Sequence, residues 1–332
     1  MMQTRQDALN EWLRIQIQQT SFTLTPLAGD ASFRRYLRLS YDNVTRMVMD
    51  APPEKENIEP FINVNQTLQS QGVKTPTIHA TELTQGFLIL DDFGDDLLLN
   101  TRTAANQDSL YQCAIETLVQ IQQCSTASLP TFNKTHMLNE MALFQEWFLD
   151  AYLELPLTST EKQLINATLL MIAERIENQP QVFIHRDYHS RNLMVIGDHF
   201  PPHLGVIDFQ DAMHGPITYD LVSLIKDCYF KLPKTAYDQY LAFYHQQQPL
   251  IQEWTHATLA KEVDICGLQR HLKVLGIFCR LYLRDHKPNY LRDLPLVMDY
   301  TMSCLKQYAE FKPFLQFMEK RVLPQFMETS HV

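Results

Sequence analysis

The chain has 332 residues, 45% of them hydrophobic, a formal net charge of −10 and only nine glycines. That length can bury a large core and suggests two lobes. The acidic balance argues against a nucleic-acid binder, which needs clustered Lys and Arg, and no apolar run approaches the roughly 20 residues that cross a bilayer.

The N-terminal 19 residues are polar and amphipathic, with no apolar signal core, which points to a cytoplasmic protein. Residues 4–19 carry Leu9, Trp12, Leu13 and Ile17 at helical spacing and predict a helix. The period then changes to two. Phe22–Thr25, Tyr36–Leu39 and Val44–Met49 read as strands, with a turn over 28–35 joining the first two and Pro52-Pro53 ending the third. Ile58, Phe61, Ile62, Val64 and Leu68 restore a helical stripe over 54–71. Thr77–Leu83 and Phe87–Leu90 follow as two more strands around Gln85-Gly86. Beyond Gly94 long helical patterns dominate, with stripes such as Leu110, Ala114, Leu118 and Ile121, or Ile265, Leu268, Leu272, Leu275 and Cys279. Short strands interrupt them over 182–209, including a hairpin turning at Gly197-Asp198. The predicted fold is α+β, with an N-terminal lobe over 1–92 and a helical lobe over 93–332. The six cysteines form no CxxC pair and no zinc-spaced cluster, and read as buried reduced thiols.

The chemistry concentrates in V-F-I-H-R-D-Y-H-S-R-N (182–192) and V-I-D-F-Q-D (206–211). Asp187 follows an apolar strand and is delivered on a loop, the usual place for a catalytic group. Asn192 offers an amide oxygen five residues on, and Asp208 ends another apolar strand. A carboxylate to accept a hydroxyl proton, plus an amide and a carboxylate for Mg²⁺, is close to the minimum equipment for phosphoryl transfer from ATP. His185, two residues before a better base, is expected to support the loop. Asp211 lies close enough to Asp208 in sequence to reach metal or substrate. Asp220 opens an apolar helical run and reads as its N-cap. The turn Gly29-Asp30-Ala31-Ser32 joins the first two strands, where backbone N–H groups and a hydroxyl can fold over phosphates. No GxxxxGK[ST] occurs.

H-R-D-Y-H-S-R-N, V-I-D-F-Q-D and G-P-I-T-Y-D-L together resemble the aminoglycoside phosphotransferase and choline kinase family over nearly the whole chain. The resemblance implies a protein-kinase-like bilobal fold with Asp187 as base, Asn192 and Asp208 on Mg²⁺, and Gly29 to Ser32 as the ATP phosphate loop. It also makes Asp91, Asp92 and Phe93 part of the hinge whose backbone meets adenine. Within that family, L-A-G-D-A-S-F-R-R-Y and M-D-A-P-P-E-K-E look like the anomeric amino-sugar kinases of cell-wall recycling. That implies N-acetylmuramate or N-acetylglucosamine as acceptor, with His189, Arg191 and Asp211 as candidates to read the sugar. Other acceptors in view are choline, an aminoglycoside or an amino-acid alcohol, and a nucleotide-binding pseudokinase scaffold is the reading from another class. One position departs from the pattern. Kinases of this fold carry a third-strand lysine paired with a helix glutamate, and Met49 stands there instead. Arg46, Lys55, Arg34 or Arg35 can supply the charge, and Glu54, Glu56 or Glu59 its partner.

Overall fold

The computed structural model describes residues 4–27, 33–197 and 202–329. The expected phosphate-loop residues Gly29, Asp30, Ala31 and Ser32 lie outside the described residues. The chain divides into two compact units, one of residues 1–97 with 193–211, the other of 98–192 with 212–332. A single cut at 92/93 places 193–211 with the helices, whereas its contacts place it with the N-terminal sheet.

The first unit opens with α1 (Arg5–Ile17), started by a reciprocal capping box between Thr4 and Asp7. Five antiparallel strands follow: β1 (Thr23–Pro26), β2 (Arg35–Tyr41), β3 (Val44–Asp50), β4 (Ile78–Glu82) and β5 (Phe87–Asp91), in the spatial order β1-β2-β3-β5-β4. The helix α2 (Glu59–Ser70) runs between β3 and β4 and starts with Pro60 in its first turn, where a missing N–H costs nothing.

Register sorts the sheet into two faces. Leu37 pairs with Val48 and Val48 with Ile89, so these share one face with Leu39 and Phe87. Leu9, Trp12 and Leu13 of α1 cover that face. Asp50, fully buried on the same side, is clasped by Arg5 and Arg35. Tyr36 pairs with Met49, and Arg38 with Met47, so these four occupy the opposite face.

Four short strands come later in the chain: β6 (Gln181–Ile184), β7 (Leu193–Ile196), β8 (His203–Val206) and β9 (Met213–Pro216). The β7–β8 hairpin was legible from its apolar runs, and Gly197 at its turn has φ +71°. It joins the first unit through Val195 N–H to the Asp96 carbonyl at 2.7 Å and Val206 N–H to the Lys74 carbonyl at 2.8 Å. Phe209 just beyond it lies 4.8 Å, ring centre to ring centre, from Phe61 of α2. The β6–β9 pair belongs to the second unit. Gly215 sits inside β9 rather than at a turn, and a Cβ there would meet Ile184 Cδ1 at 2.4 Å.

The second unit is helical: α3 (Leu98–Thr101), α4 (Gln107–Gln122), α5 (Lys134–Leu143) continuing π-helically over 144–152, α6 (Ser159–Glu177), α7 (Tyr219–Ile225), α8 (Lys234–Gln247), α9 (His256–Leu283), α10 (Leu294–Gln307), α11 (Lys312–Phe317) and α12 (Leu323–Thr329). Five of the six cysteines are buried and Cys113 is half-buried. Burial pushes the Cys228, Cys266 and Cys304 thiols up to about 12, so they are inert packing groups.

The 28-residue α9 is buried nearly all round and carries Glu262, Asp264, Gln269, Arg270 and Lys273 into the interior. Its two glycines differ. A Cβ on Gly276 would fall 2.3 Å from the Leu143 carbonyl, whereas one on Gly267 would meet nothing closer than 3.5 Å. Gly276→Ala is therefore expected to destabilise the fold by about 1–3 kcal/mol through overpacking. Gly267→Ala is expected to be neutral or stabilising by up to about 1 kcal/mol through helix propensity. Urea midpoints of the two variants check the contrast.

Candidate active site

The loop at 185–192 leaves β6 at a sharp turn. Arg186 has φ +75°, a left-handed conformation that a large side chain adopts only when its surroundings impose it. Asp220 imposes it. Thr218, not Asp220, occupies the N-cap position of α7. The buried Asp220 carboxylate instead accepts the backbone N–H of His185 at 2.6 Å through Oδ2 and that of Arg186 at 2.9 Å through Oδ1. A second buried aspartate, Asp227, accepts the Ser190 N–H at 3.0 Å and the Ser190 hydroxyl, and also the Tyr229 N–H at 2.9 Å. Both ends of the loop are thus tied to carboxylates supplied by one short stretch of chain.

Between the anchors the loop is indexed to Asp187. The Asp187 N–H donates to His185 Nδ1 at 3.3 Å, so His185, fully buried, supports the loop as expected. The Asp187 carbonyl accepts the His189 N–H at 2.9 Å and Asn192 Nδ2 at 3.0 Å. With its nitrogen turned to that carbonyl, the Asn192 amide oxygen is the atom suited to a hard cation. His189 meets the Tyr229 ring edge-on at 5.3 Å, and the Arg191 guanidinium lies 3.6 Å from the same ring centre.

The charges around Asp187 come largely from α9, which sequence reasoning did not connect to the site. Arg270, only 4% exposed at its side chain, donates through Nη1 to the Arg186 carbonyl at 2.7 Å and approaches Asp187 Oδ1 at 3.5 Å. Lys273 and Arg186 both reach Glu140, at 2.8 and 2.7 Å, and Gln269 donates to its other oxygen at 3.2 Å. Burial alone would raise the Asp187 carboxyl. Lys273, Arg270, His189 and Arg186 outweigh it and hold the group well below the usual carboxylate range. The side chain keeps 42% exposure. Asp187 is therefore an ionised, reachable acceptor at any physiological pH. The missed signal was the placement of Arg270 and Lys273 within the apolar stripes of a long helix, where a cation has to be paired.

In the first unit, Asp208 follows β8 with φ +63°. Gln210 Nε2 bridges its Oδ1 at 2.9 Å and Asp211 Oδ2 at 3.3 Å. Burial pushes the Tyr36 hydroxyl up to about 12, with Arg34 opposing and the Asp208 and Glu56 carboxylates adding. The carboxylates of the expected hinge have structural partners. Asp92 is gripped by Arg38 at 2.7 and 3.1 Å and by the Gly94 N–H at 2.9 Å. Asp91 is held by His79 at 2.7 Å and the Thr77 N–H at 3.1 Å. Phe93 lies against β8, where a Cβ on Gly205 would meet its ring at 2.5 Å. Arg46 falls on the α1-covered face of the sheet and faces Asp91 at 4.0 Å. Among the described residues no group of three or more His, Cys, Asp or Glu is arranged to hold a metal. An amide and a carboxylate suit Mg²⁺, which takes few protein oxygens and keeps waters and phosphates as its other ligands.

Residues 23–259 match the phosphotransferase enzyme family. The chain belongs to that family. It is 39% identical over 292 residues to an N-acetylmuramate/N-acetylglucosamine kinase of Pseudomonas putida, covering 87% of this chain and 85% of that one. The Neisseria meningitidis protein of the same name is 33% identical and covers 98% of both. Among solved structures, Plasmodium vivax ethanolamine kinase superposes with a TM-score of 0.65 at 11% identity, over 89% of this chain and 87% of that one. The ADP-bound aminoglycoside phosphotransferase APH(2'')-Ib does so with a TM-score of 0.62 at 14% identity, over 90% and 98%. These likenesses show the protein-kinase-like fold, with its small antiparallel sheet and mainly helical remainder.

Burial pushes the Asp220 carboxyl up to about 7, although the His185 and Arg186 N–H bonds and Arg270 pull it down. A carboxyl raised above its unfolded value of 3.8 favours the folded state most when protonated, and that contribution is lost as pH rises from about 4 to about 7. Asp220→Asn removes the titration. The stability of the wild type minus that of the variant should fall across this window and level off above it, as read from urea unfolding at successive pH values.

Proposed function

We propose that this phosphotransferase transfers the γ-phosphoryl group of ATP to the anomeric (C1) hydroxyl of N-acetylmuramate or N-acetylglucosamine, in the cytoplasm, during peptidoglycan recycling. The carrying observation is the Asp187 carboxylate, reachable yet held ionised by the cations around it. The relatives, which cover most or nearly all of the chain, are named for kinase activity on N-acetylmuramate and N-acetylglucosamine, and this supports the choice of acceptor.

In this reading Asp187 orients the sugar hydroxyl and takes its proton as the new O–P bond forms. The bond between the γ-phosphorus and its bridging oxygen breaks, and ADP leaves. A hemiacetal hydroxyl is more acidic than an ordinary alcohol, so a carboxylate of low basicity suffices as acceptor. Asn192 and Asp208 would hold Mg²⁺, which when bound supplies charge neutralisation on the transferring phosphate. Gly29, Asp30, Ala31 and Ser32 would cover the phosphates, and the backbone of Asp91, Asp92 and Phe93 would meet the adenine. His189, Arg191 and Asp211 remain the proposed sugar-reading residues. The Arg191–Tyr229 stack gives Arg191 a fixed platform for a ring hydroxyl.

Asp187→Ala should lower kcat by about 10²- to 10⁴-fold, the scale of general acid–base help, in a coupled assay of ADP release. A variant of near wild-type rate contradicts the assignment of the base. Free N-acetylglucosamine should be phosphorylated and its 1-O-methyl glycoside should not. Equal turnover of both removes C1 as acceptor, and turnover of choline with neither sugar replaces the acceptor class.

A further inference from the structure

The sheet identifies the cation that Met49 leaves out. Four residues can supply it, and their surroundings separate them. Arg35 lies on the face covered by α1, locked to Asp50 together with Arg5. Arg46 lies on that same face, its guanidinium donating to the Thr45 carbonyl at 3.2 Å and facing Asp91. The Lys55 ammonium sits 4.7 Å from the centre of the Phe33 ring. Arg34 differs from all three.

Arg34 immediately precedes β2 and bonds to the hydroxyl of Tyr36. Tyr36 stands directly across the ladder from Met49, on the face away from α1. Its hydroxyl is within range of the Asp208 charge. Arg34 Nη2 also donates to Glu56 Oε2 at 3.2 Å, and the other oxygen of Glu56 accepts the Phe33 N–H at 3.3 Å. The pair is largely buried, with the Arg34 side chain 11% and the Glu56 side chain 16% exposed. Arg34 is thus a positive charge fixed by a carboxylate and bonded to Tyr36, the residue opposite Met49 whose hydroxyl lies within range of the Asp208 charge. That is the arrangement a lysine–glutamate pair provides elsewhere in this fold, reached here from the preceding strand and a different backbone position. A guanidinium carries five N–H donors, so it can hold Glu56 and a phosphate oxygen together, which an ammonium does with less directional control.

We propose that Arg34, held in place by Glu56, is the residue that binds the α- and β-phosphates of the nucleotide. Glu56 is a positioning residue that fixes the guanidinium. The assignment rests on the kinase reading given above. It also explains why this chain tolerates methionine on its third strand: the charge has moved to the residue before β2, and an apolar side chain fills the vacated place in the sheet.

The test compares ADP with adenosine, which lacks the phosphates, by calorimetric titration of the full chain with Mg²⁺ present. Arg34→Ala should weaken ADP about 10- to 100-fold, the worth of one charge-assisted phosphate contact, and leave adenosine within about twofold. Arg34→Lys should recover part of the loss, and Glu56→Gln should weaken ADP less than Arg34→Ala does. Equal weakening of ADP and adenosine would mean that Arg34 only holds the lobe together, and would overturn the proposal. Unchanged ADP affinity in Arg34→Ala overturns it as well. Failure of the wild type to bind ADP or ATP at all would sink the kinase reading itself, and this inference with it.

Discussion

Two backbone N–H groups, of His185 and Arg186, end on one buried carboxylate, and the geometry of the candidate site follows from that clamp. An extended strand does not turn unaided through a left-handed arginine. Asp220 supplies the compensation by satisfying two donors that the turn removes from any ladder. With the turn fixed, Asp187 leaves β6 in a defined direction, and its carbonyl becomes the reference to which His189 and Asn192 are bonded. The candidate groups are therefore placed by bonds to the loop backbone. Precision of this kind matters in phosphoryl transfer, where the protein contributes mainly positioning and fixed charge.

The second constraint is electrostatic. Arg270 and Lys273 sit inside the second unit on α9, and Arg186 approaches from the loop; each has a carboxylate or carbonyl partner. Buried ion pairs of this type add little net stability, because desolvation consumes most of the attraction. Their consequence here is the protonation state of Asp187. Glu140, itself held low by Lys273 and Arg186 against the cost of burial, pairs with two of the three cations. Asp187 feels enough positive charge to stay ionised, with Arg270 approaching it at 3.5 Å.

Much of this was legible in the sequence, and the exceptions have physical reasons. The strands of the N-terminal sheet and the helix before them follow from period and turn chemistry. The spacing of Asp187, Asn192 and Asp208 singled out those three side chains because apolar strands flank the two aspartates. Asp220 was misread, since an aspartate opening an apolar helical run has the signature of an N-cap, and only the tertiary partner reveals otherwise. β9 escaped because Met213-His214-Gly215-Pro216 has no alternation and contains two residues that weaken strands. The Arg34–Glu56 pair could be named only as one combination among several. Its members are separated by a whole hairpin, and the choice depends on which face of the sheet α1 covers. Arg270 and Lys273 were passed over because a cation in a long helix ordinarily lies on a solvated face.

The cations around Asp187 hold it ionised throughout the working pH range. The direct test is the carbon-13 resonance of its carboxyl in aspartate-labelled protein, assigned by difference from Asp187→Asn and followed on lowering the pH. No shift is expected through the ordinary carboxylate range near 4. A resonance that titrates at or above that value would contradict it.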